Sequence, residues 1–526
     1  MNATTSPGRL LVIGLDSADA ELIERWSDEG HLPNLARLRA EGSWSRIGTT
    51  AEVMHVSGWA SLYTGATPGA HGMYHAYQLR AGEQAVHRAR ADECALPPFW
   101  KHLDDAGRRV LVLDAFMSTP VRGFGGIEVL EYGTWTWFDE PGSNPPELWR
   151  EIQRRFGPYP APEHTNVLVQ PDPARFRGQL SAGARVKGEV LAWLLREKPW
   201  DVCFAMFGEA HPAGHYLWHV SDPAYPTFPG GGPLENAVRD VYAAVDAAIG
   251  RVLEAVDDST SVLITSGDGM GPNHAACHLL PELLHRMELY FGADVGRSSA
   301  ADGGGGEASS AVRRSLTRRL RDLVPTGMRR SISRCLPVAL QHRLSMKWAN
   351  ADIDWTRTRA FAVPNANEGY VRLNLAGREP QGVVAAGEEY RALFDTIASQ
   401  ARELVVPDGG GLVLREAYDT DRVFPGPCRG NLPDLVLTWN PAAGCLDALD
   451  SPGLGRIAGK TPYDTAPFYS GNHRPNAFLL ARGPHVAAGS SLTGAHVLDI
   501  APTVLAHQGV PSPAHHRGSV LADLVP

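Results

Sequence analysis

Four short, continuous and largely apolar runs constrain this chain more than any other feature. They are Leu10–Leu15, Val110–Leu113, Val202–Phe207 and residues 262–265. A strand with one wet face alternates apolar and polar residues; a strand covered on both faces need not. Helical patterns lie between the runs. One covers residues 20–41, interrupted near Gly30 and Pro33, and one covers 186–195. A third covers 236–256, with Val238, Val241, Val245 and Ile249 at helical spacing. Strands alternating with helices predict an α/β fold with a mostly parallel central sheet and helices on both faces.

A chain of 526 residues is too long for one simple core. We expect a single α/β domain over 1–526 with inserted segments. Residues 75–180, rich in Trp, Tyr, Pro and Gly, are a candidate cap. Residues 290–350 combine a flexible linker, SSAADGGGGEASS, with a basic helical segment over 312–347. That segment reads as a solvated helix pair; docking of an acidic partner or a membrane surface is the other reading. Regular structure should resume at Ala360.

The net charge of -9 gives no basic excess for displacing counterions, so no nucleic-acid polymer is expected as a partner. A small anionic substrate stays open, because a metal can supply positive charge locally. The six cysteines are scattered with no CxxC, so neither a zinc ribbon nor a disulfide framework is expected. No signal-peptide pattern and no apolar run of about 18 residues occurs, so no membrane span is expected and a cytoplasmic location is the default.

In open parallel sheets, ligands bind at the carboxyl ends of strands. Asp16 ends the first run. His211 and His215 follow the third in GEAHPAGHYLWH. Asp268 follows the fourth in SGDGMG. His473, in SGNHRPN, joins from far along the chain. Each has a plain structural reading. An Asp after a strand caps the next helix, and an Asp in a Gly-rich turn bonds locally. Histidines four apart share a helix face whether or not a metal is there. Their joint placement at successive strand ends favours a metal site, and carboxylate with imidazole suits zinc or a similar transition metal.

Longer segments carry a resemblance. They include LLVIGLDSADAELIERWSDEGHLPNLARLRAEG, WASLYTGATPGAHGMY, FGEAHPAGH and VLITSGDGMG. PDLVLTW, SGNHRPNAFLLARGPH and VLDIAPTVLAHQGVPSPAHHRGSVL continue it. Their order is similar to that of the alkaline phosphatase superfamily, within it the type I phosphodiesterase and nucleotide pyrophosphatase family. The resemblance implies two metals, usually zinc. One would take an Asp and a His from a D-x3-H segment plus a C-terminal His, matched here by His211, His215 and His473. The other would take the N-terminal Asp, the nucleophile and an Asp-His pair, matched by Asp16, His55, Gly267 and Asp268.

Three positions depart from that pattern. His211 replaces an Asp, giving three neutral imidazoles, which hold Zn2+ well and leave a position open. Gly267 and Asp268 replace the Asp-His pair, so a second divalent metal should be weaker, different or absent, unless His274 or His278 compensates. The family's hydroxyl or thiol nucleophile lies nine residues before the Thr of the TG pair; counting back from Thr64 reaches His55. His55 could attack phosphorus, act as base or bind the second metal. Ser57 could serve if the register slips, or cap the helix.

The expected activity is metal-dependent hydrolysis of phosphodiester or pyrophosphate bonds in a nucleotide or similar small molecule. Trp135, Trp137 and residues 364–370 would select the leaving group by stacking on a flat group; their aromatic content equally fits a hydrophobic core. Another hydrolysis or group transfer on the altered site, and a non-catalytic binding protein, are the rival expectations.

Overall fold

The computed structural model describes residues 8–118, 120–133, 141–161, 172–292, 295, 353–459 and 469–526. Trp135, Trp137 and the basic segment over 312–347 lie outside these residues.

The central sheet begins with β1 (Leu10–Leu15), β2 (Ser43–Arg46), β3 (Val110–Leu113), β4 (Ile127–Leu130), β5 (Gly142–Asn144), β6 (Val202–Phe207) and β7 (Ser261–Ser266). A two-stranded ribbon adds β8 (Gly269–Pro272). A smaller antiparallel sheet contains β9 (Ala360–Val363), β10 (Gly369–Leu373), β11 (Leu414–Asp419) and β12 (Leu435–Trp439). Near the C-terminus, β13 (Gly471–Arg474) completes the ribbon and β14 (Phe478–Arg482) returns to the central sheet.

The eight central strands run in the order β2-β14-β7-β1-β6-β3-β4-β5. β7, β1, β6, β3 and β4 are parallel; β14 and β5 pair antiparallel to their neighbours. Three of the eight strands come from within residues 75–180, so that stretch is in large part sheet as well as candidate cap.

The apolar runs form strands for the reason their composition suggests. In β1, Leu11, Ile13 and Leu15 enter one core cluster and Leu10 and Val12 the other, so both faces are dry. The helical pattern over 20–41 divides into α1 (Ala20–Asp28) and α2 (Pro33–Glu41), with Gly30 at φ 81° in the break. After α3 (Ser57–Thr64) come α4 (Pro173–Glu197), α5 (Ala210–Ser221) and α6 (Ala237–Leu253). α4 packs on α6, and Gly188 permits the close crossing, since a Cβ there would lie 2.8 Å from the Ala248 Cβ. A third core cluster fills the smaller lobe, between its sheet and α7 (Glu388–Arg402). No helix among the described residues is long and apolar enough to cross a membrane.

Candidate metal centre

Asp16 leaves the end of β1 and Ser17 follows at φ 53°, a turn that sets both side chains at the sheet's carboxyl edge. Asp16 is buried. Its Oδ1 accepts the Trp59 indole N–H at 2.7 Å, and its Oδ2 lies 2.8 Å from His211 Nδ1. His211 and His215 stand one turn apart on α5, which starts directly after β6. His473 arrives on β13, opposite Met270 of β8. Two glycines allow its approach. A Cβ on Gly471 would lie 2.3 Å from the Gly214 carbonyl oxygen, and one on Gly214 would lie 2.8 Å from the Met270 side chain. The ribbon therefore rests on the α5 backbone, and the Ser470 N–H donates to the His215 carbonyl at 2.7 Å.

Each of the three imidazoles has its Nδ1 engaged. His211 faces Asp16, His215 lies 2.9 Å from the Gly471 carbonyl oxygen, and His473 lies 2.6 Å from Asp268 Oδ2. A carbonyl only accepts, so His215 Nδ1 carries its proton; a carboxylate sets the same tautomer in His211. Their Nε2 lone pairs then face each other at 3.0 Å, a separation that requires a cation or a proton between them. Among the described residues, His211, His215 and His473 are the group of potential ligands that converges, their donor atoms within 4.8 Å of one another. Burial, then the imidazoles of His55, His211, His215 and His75, push His473 well below the ordinary histidine range. Burial, then the nearby Asp16, push Asp268 well above the carboxylate range.

Asp16 and Asp268, read from sequence as ligands of a second metal, thus each direct an oxygen to an imidazole Nδ1. Gly267 packs against the start of α3: a Cβ on Gly58 would lie 3.0 Å from its carbonyl oxygen. The Thr49 hydroxyl donates to that same oxygen at 2.6 Å. His274 Nδ1 sits 3.2 Å from the Pro272 carbonyl oxygen, and neither His274 nor His278 belongs to the converging group.

His55 lies just before α3 and is buried beside the triad, its ring stacked on His473 with centroids 4.3 Å apart. Its Nδ1 is 2.8 Å from Glu368 Oε2, and its backbone N–H donates to Glu368 Oε1 at 2.9 Å. The Asn365 and Asn367 side-chain amides donate to the same carboxylate at 2.8 and 3.2 Å. Burial alone would raise the Glu368 pKa; the His55 charge and these hydrogen bonds outweigh it and hold the carboxyl at about 2. Ser57 is fully buried, its hydroxyl 2.7 Å from the Met54 carbonyl oxygen and 2.8 Å from the Thr50 hydroxyl.

Glu368 escaped the sequence reading as a functional residue, although its segment, 364–370, was singled out. The available signal was one acid between asparagines, in NANEGY, just ahead of a strand. A buried ionic cluster behind α5 also escaped it. Lys187 Nζ lies 2.7 Å from Asp114 and 3.4 Å from Glu209, and the Tyr159 hydroxyl donates to Glu209 at 2.8 Å. Asp114 follows β3 and Glu209 precedes α5, so the cluster ties two strand ends to the helix carrying the histidines.

The model of the type I phosphodiesterase / nucleotide pyrophosphatase family matches residues 10–441. A search of curated proteins by sequence finds no match. An inactive variant of murine ectonucleotide pyrophosphatase / phosphodiesterase 5, solved in complex with AMP, aligns with a TM-score of 0.50 at 10% identity. The alignment covers 99% of this chain and 100% of that one, and it shows a shared fold. Phosphonoacetate hydrolase from Sinorhizobium meliloti 1021, with phosphonoformate, aligns at 0.47 and 14% identity over 94% of each chain, a likeness in outline only.

Proposed function

The chain belongs to the type I phosphodiesterase / nucleotide pyrophosphatase family, and from that premise we propose that it hydrolyses a nucleotide or similar small anion at a site holding one Zn2+ through His211, His215 and His473. Family membership makes it a hydrolytic enzyme of phosphoester or pyrophosphate bonds. The observation that carries the metal assignment is the convergence of the three imidazoles, whose potential ligand atoms lie within 4.8 Å of one another while each Nδ1 sits beside an oxygen of Asp16, Gly471 or Asp268. Neutral imidazoles with fixed tautomers fit zinc, and carboxylate or carbonyl partners on the far nitrogen are the usual support of such ligands. Zinc bound there supplies a Lewis acid for a phosphoryl oxygen.

Asp16 and Asp268 act in this reading by orienting His211 and His473. A second cation would have to compete with those hydrogen bonds for the same carboxylates, which supports one firm metal. His55 supplies the second reactive group in this reading, because its Nδ1 is held 2.8 Å from Glu368 Oε2 and its ring stacks on His473. The five described cysteines are all free thiols, which supports a cytoplasmic location.

The test is metal analysis of the purified protein with turnover of bis(p-nitrophenyl) phosphate and p-nitrophenyl phosphate, before and after chelation. Bound zinc and zinc-restored hydrolysis of the diester are the expected result. Protein that neither binds zinc nor gains stability from it would overturn the metal assignment, and turnover only with an added alcohol acceptor would favour group transfer.

A further inference from the structure

Glu368 holds His55 in a way that defines what His55 can do. The carboxylate grips one residue twice, at the backbone N–H and at Nδ1, and two asparagine amides fix it from the other side. His55 and Glu368 are both buried, so water does not compete for these bonds. The grip fixes the ring's orientation, and in the neutral ring the carboxylate keeps the proton on Nδ1, so the lone pair sits on Nε2. The ring stacks on His473, a member of the converging triad, which puts His55 beside the proposed metal ligands. Ser57, the nearest hydroxyl in sequence, is engaged with Met54 and Thr50 inside the turn.

Resting on the function proposed above, we infer that His55 Nε2 is the nucleophile, forming a phosphohistidine, with Glu368 as its positioning residue. In the first step the Nε2 lone pair bonds to phosphorus. The bond from phosphorus to the leaving oxygen breaks, and that oxygen departs with the electron pair and takes a proton from solvent where it needs one. The imidazole becomes a phosphorylated cation, and the Glu368 carboxylate at Nδ1 offsets that charge. In the second step water attacks phosphorus, the N–P electron pair returns to Nε2, and the water proton passes to solvent. No oxidant or co-reactant is required.

The decisive experiment is the stereochemical course of hydrolysis of a phosphorothioate diester of defined configuration by the zinc-loaded wild-type enzyme. Two displacements at phosphorus give net retention, and one direct attack by water gives inversion. In parallel, acid-sensitive, alkali-stable phosphate should appear on the His55 peptide in quenched samples and be lost in His55→Ala. Glu368→Gln should keep its zinc and its KM while kcat falls by about 10²- to 10⁴-fold, a split that a general loss of structure would not give. Inversion with an active enzyme, or retention with the adduct mapped to another residue, overturns the assignment and leaves the hydrolase reading standing. Failure to turn over any phosphate ester overturns that reading and this inference with it.

Discussion

The histidines of this site are held by two different devices. His211, His215 and His473 are fixed within the large lobe, by strand ends, by backbone contact at Gly214 and Gly471, and by tethers from Asp16, Gly471 and Asp268. His55 comes from the same lobe but is fixed from outside it, by Glu368 on the segment that leads into β10 of the smaller sheet. The first arrangement is distributed: each imidazole has its own anchor. The second concentrates orientation and charge balance in one carboxylate. In the proposed reading the contrast separates two functions, metal binding resting on the large lobe and the reactive imidazole on the contact between lobes.

The comparison breaks first at the triad. Removing one of three imidazoles removes a third of the protein ligands, so His215→Ala and His473→Ala should each lose zinc and lower kcat/KM by at least about 10³-fold. Metal analysis and diester turnover on the same samples check this, and full zinc content in both variants would disprove the triad. His55→Ala should retain zinc yet lose about 10²- to 10⁴-fold in kcat. Ser57→Ala, which loses a buried hydroxyl bonded to Met54 and Thr50, should cost stability and little turnover. The reverse order would return the nucleophile to Ser57.

The carboxylates tethering the triad rank below the imidazoles they hold. Asp16→Asn and Asp268→Asn should weaken zinc by about 10- to 100-fold while leaving it able to bind, since an amide accepts less strongly at Nδ1. Competitive chelator titration measures this, and unchanged affinity in both would break the tether argument. Gly471→Ala forces a methyl to 2.3 Å from the Gly214 carbonyl oxygen, so the ribbon must shift. A destabilisation of about 1–3 kcal/mol is expected by denaturant titration, with weaker zinc binding through displaced His473.

What the sequence made legible follows the same division. The central strands could be read because burial on both faces removes polar alternation, as Leu10–Leu15 shows. His211 and His215 could be read because one helical turn brings them together whatever surrounds them. His473 alone in a loop carried almost no local signal; the resemblance strengthened its place in the set, and the ribbon with Met270 explains its position. The roles of Asp16 and Asp268 depend on which imidazole nitrogen each meets, a matter of rotamers that residue types do not encode. Glu368 meets His55 across 313 residues of sequence, and only the seating of one lobe on the other creates that pair. Lys187, Asp114 and Glu209 likewise come from separate elements, α4, the end of β3 and the start of α5.

The smallest effect tests the inter-lobe carboxylate through pH. Burial disfavours the charged form of Glu368, but His55 and the Asn365 amide outweigh it and hold the carboxyl in the folded protein at about 2, below the ordinary 4.5 for a glutamate. A carboxyl depressed by folding lends stability that is fully present above its unfolded value. That share is lost as pH falls from 4.5 toward 2, where the folded form also takes up the proton. The wild type should therefore lose thermal stability across that window, and Glu368→Gln, which has no proton to take up there, should lose less. Asp434, held at about 2 by Arg378, Arg372 and Arg429 despite burial, titrates in both proteins and sets a common background. The difference between the two slopes, not either slope alone, reports Glu368. Parallel slopes would mean that the grip on His55 contributes nothing to folding.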